Sequence, residues 1–213
     1  MNEAPRPRAE ATAARAGWVG AASPAVYHAP RLRAAALAAL AAGLAVVPPR
    51  EDGSKAPLGG WKRYQRARPG RELVEAWYAN GRCGLGIVTG AVSGNLEAFE
   101  FDSGAEVYEA FKARAAAVGL GALVARIEAG YLERTPSGGV HWLYRCSAIA
   151  GNTKLACRPK RPEEQRDAHD KVMVLIETRG EGGYVIVAPS HGPVHPTGRP
   201  YELLAGSFAT IAT

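Results

Sequence analysis

The stretch that most constrains this chain is Asn95–Asp102, read as Asn-Leu-Glu-Ala-Phe-Glu-Phe-Asp. Apolar bulk from Leu96, Phe99 and Phe101, set between the glycine-bearing segments Gly90–Gly94 and Gly104, predicts a β-strand. Residues two apart on a strand share a face, so Glu100 and Asp102 are expected on one side and Phe99 and Phe101 on the other. Two carboxylates side by side repel unless something positive stands between them. A divalent cation held by oxygen ligands is the simplest such charge. An exposed acidic strand face is the alternative, and the rest of the chain has to decide between the two.

The chain has 213 residues, enough for one sizeable domain or two small lobes sharing a core. Its net charge of +6 favours a polyanionic partner. Cys83, Cys146 and Cys157 are widely spaced and odd in number, which argues against a disulfide framework and for a reducing, cytoplasmic setting. Cys146, Cys157 and His169 match no tight zinc spacing. The apolar run Ala34–Val47 is too short to span a bilayer and ends at Pro48-Pro49. The N-terminus carries no hydrophobic core followed by a small-residue cleavage site. A cytoplasmic protein without a membrane partner is expected.

Residues 1–25, rich in Ala, Arg, Pro and Glu, read as a mobile N-terminal arm, and residues 26–213 as one catalytic domain. Helices are predicted over Arg31–Ala42, Arg71–Tyr78 (Leu73, Val74 and Trp77 inward) and Ala105–Val118 (Val107, Phe111 and Val118 inward). Strands are predicted at Leu44–Pro48, Leu85–Thr89, Tyr131–Arg134, Val140–Tyr144 and Val172–Glu177. Tyr184–Val187 is expected as the continuation or hairpin partner of the last. Pro49–Trp61 reads as a polar loop carrying Lys55, and Ala148–Lys171 as a charged, exposed loop. Interleaved strands and helices make the class mixed α+β, with helices packed on a sheet.

Three segments then share a pattern, a strand end beside a glycine turn. The first is Glu100-x-Asp102. The second is Ser137-Gly138-Gly139-Val140-His141, where a turn without side chains allows backbone N–H groups to face an anion. The third is Glu177-Thr178-Arg179-Gly180, an acidic residue closing an apolar strand. A third carboxylate beside the first two would complete a cluster able to hold two cations, which activate a hydroxyl and offset charge on a leaving pyrophosphate. Taken singly, each has an ordinary reading: a simple turn, a hydrogen-bonded structural histidine, and a strand-end charge paired with Arg179.

Taken in order, the motifs are more selective. Lys55-Ala-Pro with Gly60-Trp61, Gly86-Ile-Val-Thr-Gly90, Thr135-Pro-Ser-Gly-Gly-Val-His141, Arg179-Gly-Glu-Gly-Gly-Tyr184, Ala188-Pro-Ser190 and Gly198-x-x-Tyr201 run from about Leu37 to Leu204. This series resembles the catalytic domain of the bifunctional DNA primase–polymerases of the archaeo-eukaryotic primase superfamily. The resemblance implies an RRM-like central sheet with flanking helices and a second small α/β lobe. It implies Mg²⁺ or Mn²⁺ as cofactor, with a single-stranded DNA template, a primer and (d)NTPs as partners. Glu100, Asp102 and Glu177 become the metal-site carboxylates. His141 and the Ser137, Gly138, Gly139 turn become the phosphate contacts, with Arg179 and Lys55 as further nucleotide or template contacts.

Two positions depart from the family pattern, since Glu100 and Glu177 stand where aspartate is usual. Each ligand arm is longer by one methylene, about 1.5 Å by carbon–carbon geometry, which is expected to favour the more tolerant Mn²⁺. The resemblance also implies a catalytic core cut from a longer protein, working as a monomer with a helicase or helical accessory domain that supports primer initiation. Two other readings fit the same residues: a metal-dependent phosphodiesterase or replication-initiator nuclease, with His191 and His195 recruited, and a non-catalytic nucleic-acid-binding module.

Overall fold

Leu96–Phe101 forms the predicted strand, and its two faces meet different surroundings. In the computed structural model, which describes residues 29–102 and 104–213, this is β3. It follows α1 (Ala29–Ala41), β1 (Ala45–Val46), α2 (Arg71–Tyr78) and β2 (Leu85–Val88). After it come α3 (Ala105–Ala117), α4 (Gly121–Gly130), β4 (Tyr131–Arg134), β5 (Val140–Arg145), β6 (Thr153–Pro159), β7 (Val172–Arg179), β8 (Tyr184–Val187) and β9 (Glu202–Gly206). The arm expected over residues 1–25 lies outside the described residues. No helix among the described residues is long and apolar enough to cross a membrane.

Two antiparallel sheets carry the fold. The larger has the order β6-β7-β3-β5-β4-β9 and the smaller β1-β2-β8. Within the larger, β7-β3-β5-β4 is the strand order expected of an RRM-like sheet, with α3 and α4 forming the crossover from β3 to β4. Where that pattern has its second crossover helix, this chain instead lays down β6 as an edge strand. The mixed α+β class and the small lobe, α1 and α2 against β1-β2-β8, are as the resemblance implied.

One face of the larger sheet is aromatic. Phe99 and Phe101 of β3 and Trp142 of β5 cluster with Tyr108 and Phe111 of α3 at ring-centroid distances of 5.0–5.9 Å. Val124 and Ile127 of α4 close the same cluster. The opposite face begins apolar: Leu96, Ala98, Leu143 and Tyr131 pack against Leu32, Ala36 and Ala39 of α1 and against the inner residues of the small sheet. The spacing Leu32, Ala36, Ala39 is one helical stripe, and alanine lets α1 lie close. Gly86 in β2 serves a similar closeness, because a Cβ there would fall 2.0 Å from the Tyr184 hydroxyl.

Four expectations need correction. Ala148–Lys171 is not all loop: Thr153–Pro159 is a strand, exposed along most of its length and formed by pairing with β7 rather than by burial. β8 is neither continuation nor hairpin partner of β7, since it crosses to the smaller sheet and pairs with β2, where its Val185 and Val187 are buried. Val118 lies beyond the last turn of α3 and is 59% exposed; Tyr108 and Ala115 are the buried positions. Finally, α4 and β9 form where nothing was predicted, because α4 has glycine at both ends and β9 exposes Leu203 and Leu204.

The aromatic cluster gives the first prediction. Trp142→Ala is expected to lower unfolding stability by about 3–5 kcal/mol, the cost of an emptied aromatic site, and Trp142→Phe by much less. Urea denaturation of the two variants measures both, and equal losses would contradict the packing described.

Candidate active site

The register of the larger sheet decides the site. Glu100 of β3 lies directly opposite His141 of β5 on one side and Glu177 of β7 on the other. His141 in turn faces Glu133 of β4, and Glu177 faces Lys154 of β6. Direct cross-strand partners share a face, so the five form one charged line across the sheet. The line runs along the same face as Ala98 and Leu143, one pleat further on. Asp102 follows just past the end of β3, where its N–H donates to the Leu175 carbonyl at 3.0 Å.

Carboxylate oxygens of Glu100, Asp102 and Glu177 lie within 4.8 Å of one another. Glu100 and Glu177 are buried and Asp102 is at the exposed mouth. Arg179 bridges the two buried groups: its Nε donates to Glu100 Oε2 at 3.0 Å and its Nη2 to Glu177 Oε1. Burial, followed by the Glu177 charge, pushes the Asp102 carboxyl above the usual carboxylate range, against the opposing charges of His141, Lys55 and Arg179. Glu177 is also raised, by burial first; Arg179 opposes the rise and Glu100 adds to it.

His141 is oriented from behind. Its Nδ1 is 2.8 Å from Glu133 Oε1, and its Nε2 is 3.9 Å from Glu100 Oε1. Glu133 has no exposed surface, and its other oxygen accepts from the Tyr131 hydroxyl and the Ala188 N–H, both at 2.7 Å. Burial works against charge on the imidazole. The Glu133 hydrogen bond and the nearby Glu100, Glu133 and Asp102 charges outweigh it, and the His141 pKa rises above its ordinary value.

Glu100, His141 and Glu177, the middle of the charged line, floor a cavity of about 370 Å³ that collects most of the predicted site residues. Glu100, Asp102, Ser137, His141, Glu177, Arg179 and Lys55 all line it. Lys55 arrives from its loop in a left-handed backbone conformation, φ 58°. Gly138 and Gly139 behave otherwise than expected. Their N–H groups donate within the turn, to the Thr135 carbonyl at 2.9 Å and the Thr135 hydroxyl at 3.0 Å. Gly138 borders a separate depression beside Tyr108 and Lys112. The glycines answer a steric need, since a Cβ on Gly139 would sit 2.2 Å from the Phe101 carbonyl oxygen. What the turn presents to the cavity is the Ser137 side chain.

Three lining or supporting groups were not among the metal or nucleotide contacts expected from the sequence. His195 Nε2 lies 3.2 Å from Ser137 Oγ, and its Nδ1 lies 2.9 Å from the Thr197 hydroxyl. Burial and then the Lys55 charge lower its pKa. Tyr201 stands between the imidazoles of His141 and His195, at 6.1 and 6.3 Å. Glu133 supports His141 from outside the cavity. Alternation with Tyr131 on one strand is the signal that could have found Glu133, whereas His195 entered only the nuclease reading and Tyr201 only as the end of a motif. Cys146 and Cys157 are free thiols, and among the described residues they do not gather with His169 into a ligand cluster.

No curated protein matches the chain. A family model described as the N-terminal domain of bifunctional DNA primase/polymerase matches residues 36–213, from within α1 onward. With most of its length matched, and with both sheets and the carboxylate cluster inside the match, the chain belongs to the bifunctional DNA primase/polymerase N-terminal domain family.

Proposed function

We propose that the cavity carries out template-directed nucleotidyl transfer, adding (d)NTPs to a primer on a DNA template with two divalent ions, Mg²⁺ or Mn²⁺. The observation that carries this reading is the all-oxygen cluster of Glu100, Asp102 and Glu177, with the cationic groups of the cavity on its flanks. The donor set fits the ions: carboxylate oxygens suit hard cations, and the three carboxylates offer oxygens within 4.8 Å of one another. Bound ions of this kind supply activation of the attacking hydroxyl and neutralisation of the departing pyrophosphate.

The chain's own groups do the rest. Glu100, Asp102 and Glu177 hold the cation site, and Arg179 keeps the two buried carboxylates in place. With Nδ1–H given to Glu133, Nε2 carries a proton only in the imidazolium form, which the Glu133 bond and the Glu100 and Asp102 charges favour, and in that form His141 donates from Nε2 toward the triphosphate. Ser137 and Lys55 reach the same volume from the turn and the loop, and they contact the remaining phosphate oxygens. The three-sided enclosure by β8, Tyr201 and the charged strands limits water around the reacting groups.

Asp102→Ala is expected to retain the fold and to slow primer extension more than about a hundredfold, the loss of several kcal/mol of charge stabilisation. The assay supplies end-labelled primer–template, Mn²⁺ and nucleotides. Extension at the wild-type rate would remove the carboxylates from the mechanism, and nucleotide-independent shortening of the label would identify hydrolysis instead. The longer arms of Glu100 and Glu177 give a second expectation, that Mn²⁺ supports faster extension than Mg²⁺. Replacing both with Asp should raise the Mg²⁺ rate relative to the Mn²⁺ rate, and an unchanged ratio would separate arm length from ion choice. Glu133→Gln keeps the volume but loses one acceptor, so KM for the nucleotide should rise by about tenfold. A loss in kcat with KM unchanged would contradict a role for Glu133 in positioning the phosphate contact.

A further inference from the structure

We propose that the ridge formed by Lys62, Arg63 and Arg66, on the turn packed against the Gly182–Tyr184 segment that borders the cavity, docks the phosphate backbone of single-stranded DNA. Residues 61–71, Trp-Lys-Arg-Tyr-Gln-Arg-Ala-Arg-Pro-Gly-Arg, hold five cations and no acid. The first turn, Trp61–Gln65, is a 3₁₀ helix, in which residues three apart lie one above the other. Trp61 and Tyr64 therefore turn inward together, against Val47, Val88 and Trp77. That packing leaves Lys62, Arg63 and Arg66 exposed on the outside.

The ridge is tied to the site rather than merely near it. Gln65 Nε2 donates to the Gly182 carbonyl at 2.6 Å, in the turn that follows Arg179. The Trp61 ring lies 5.8 Å from that of Tyr184, a residue lining the cavity. Arg63 is laid over the Tyr64 ring at 4.7 Å, with its Nη2 donating to the Tyr64 hydroxyl at 2.5 Å. That contact holds the guanidinium in place, and no acid among the described residues pairs with it.

Comparison with the other cations selects this patch. Among the described residues, the side chains of Lys62 and Arg66 have no ion-pair or hydrogen-bond partner. Arg68 and Arg71, in the same run, serve the fold: Arg68 donates to the Gly43 carbonyl at 2.8 Å, and Arg71 pairs with Glu75 at 3.0 Å. The second basic segment, around β6, is mostly paired, with Arg158 on Glu164 and both Lys160 and Arg166 on Asp170, which leaves Lys154 and Lys171 outside any ion pair among the described residues. Exposed cations that pair with no acid among the described residues, on a turn joined to a wall of the cavity, match a strand backbone running past that cavity.

The inference takes the identity of the polyanion from the polymerase reading, so its test is run without nucleotide or divalent ion. Binding of a labelled single-stranded oligonucleotide is followed by fluorescence anisotropy across a series of potassium chloride concentrations. For Lys62→Ala/Arg66→Ala, affinity should fall, and the slope of log K against log salt should shrink by about 1.4, two phosphate contacts at about 0.7 each. The control is Arg114→Ala/Arg126→Ala, which removes the same charge from α3 and α4 on the other side of the sheet. It should leave the slope unchanged. An unchanged slope in the ridge variant, or equal losses in ridge and control variants, would overturn the proposal. An Asp102→Ala protein that binds DNA normally yet still extends primers would refute the carboxylate mechanism without touching the ridge.

Discussion

The rest of the structure depends on one line of ionisable side chains crossing the middle of a sheet: Glu133, His141, Glu100 and Glu177 on four adjacent strands. A line of this kind is costly to bury unless each charge has a partner. The structure supplies partners at both ends. Arg179 spans Glu100 and Glu177, and His141 answers Glu133, which also accepts from Tyr131 and Ala188. The carboxylates of Glu100, Asp102 and Glu177 converge between those ends, on the side that opens to the cavity.

The same line explains why two sheets are needed. On that face the alternation passes in a single pleat from Ala98 and Leu143, packed in the core, to Glu100 and His141. The small sheet and α1 cover the apolar part, and the rim of the small sheet, Tyr184 to Ile186, forms one wall of the cavity over the charged part. The Ala188 N–H bond to Glu133 then joins the end of β8 to the larger sheet. Packing and chemistry therefore meet on adjoining rows of one surface. The aromatic face behind β3 supports them, since Phe99 and Phe101 alternate with the acidic residues they help to place.

The extended loops complete the enclosure rather than define it. Lys55 enters from the segment after β1, Ser137 from the tight β4–β5 turn, and His195 and Tyr201 from the stretch between β8 and β9. Each is anchored by a local contact, such as the Thr135 bonds that set the Ser137 turn or the Thr197 hydroxyl beside His195. The basic turn at Trp61–Gln65 is held in the same manner, by inward aromatic packing and by the Gln65 bond to Gly182. Loops pinned in this way keep side chains aimed at a shared volume without adding to the core.

Much was legible in the sequence because its physical basis is local. Alternation in Asn95–Asp102 put the acidic and aromatic residues on opposite faces, and the alanine and leucine of Arg31–Ala42 and the apolar stripe of Arg71–Tyr78 marked helices close to their observed bounds. The order of the short motifs pointed to the family and named the carboxylates before any contact was seen. Only the tertiary structure decided the rest, because it turns on pairing between distant segments. Strand register set Glu100 against both His141 and Glu177, and brought in Glu133, a residue with no motif of its own. The switch of β8 to the other sheet and the edge strand β6 follow from long-range hydrogen bonding that composition does not encode. Side-chain period is a property of neighbours in the chain. Which strand lies beside which is settled by the whole core, and the site is built from that second kind of information.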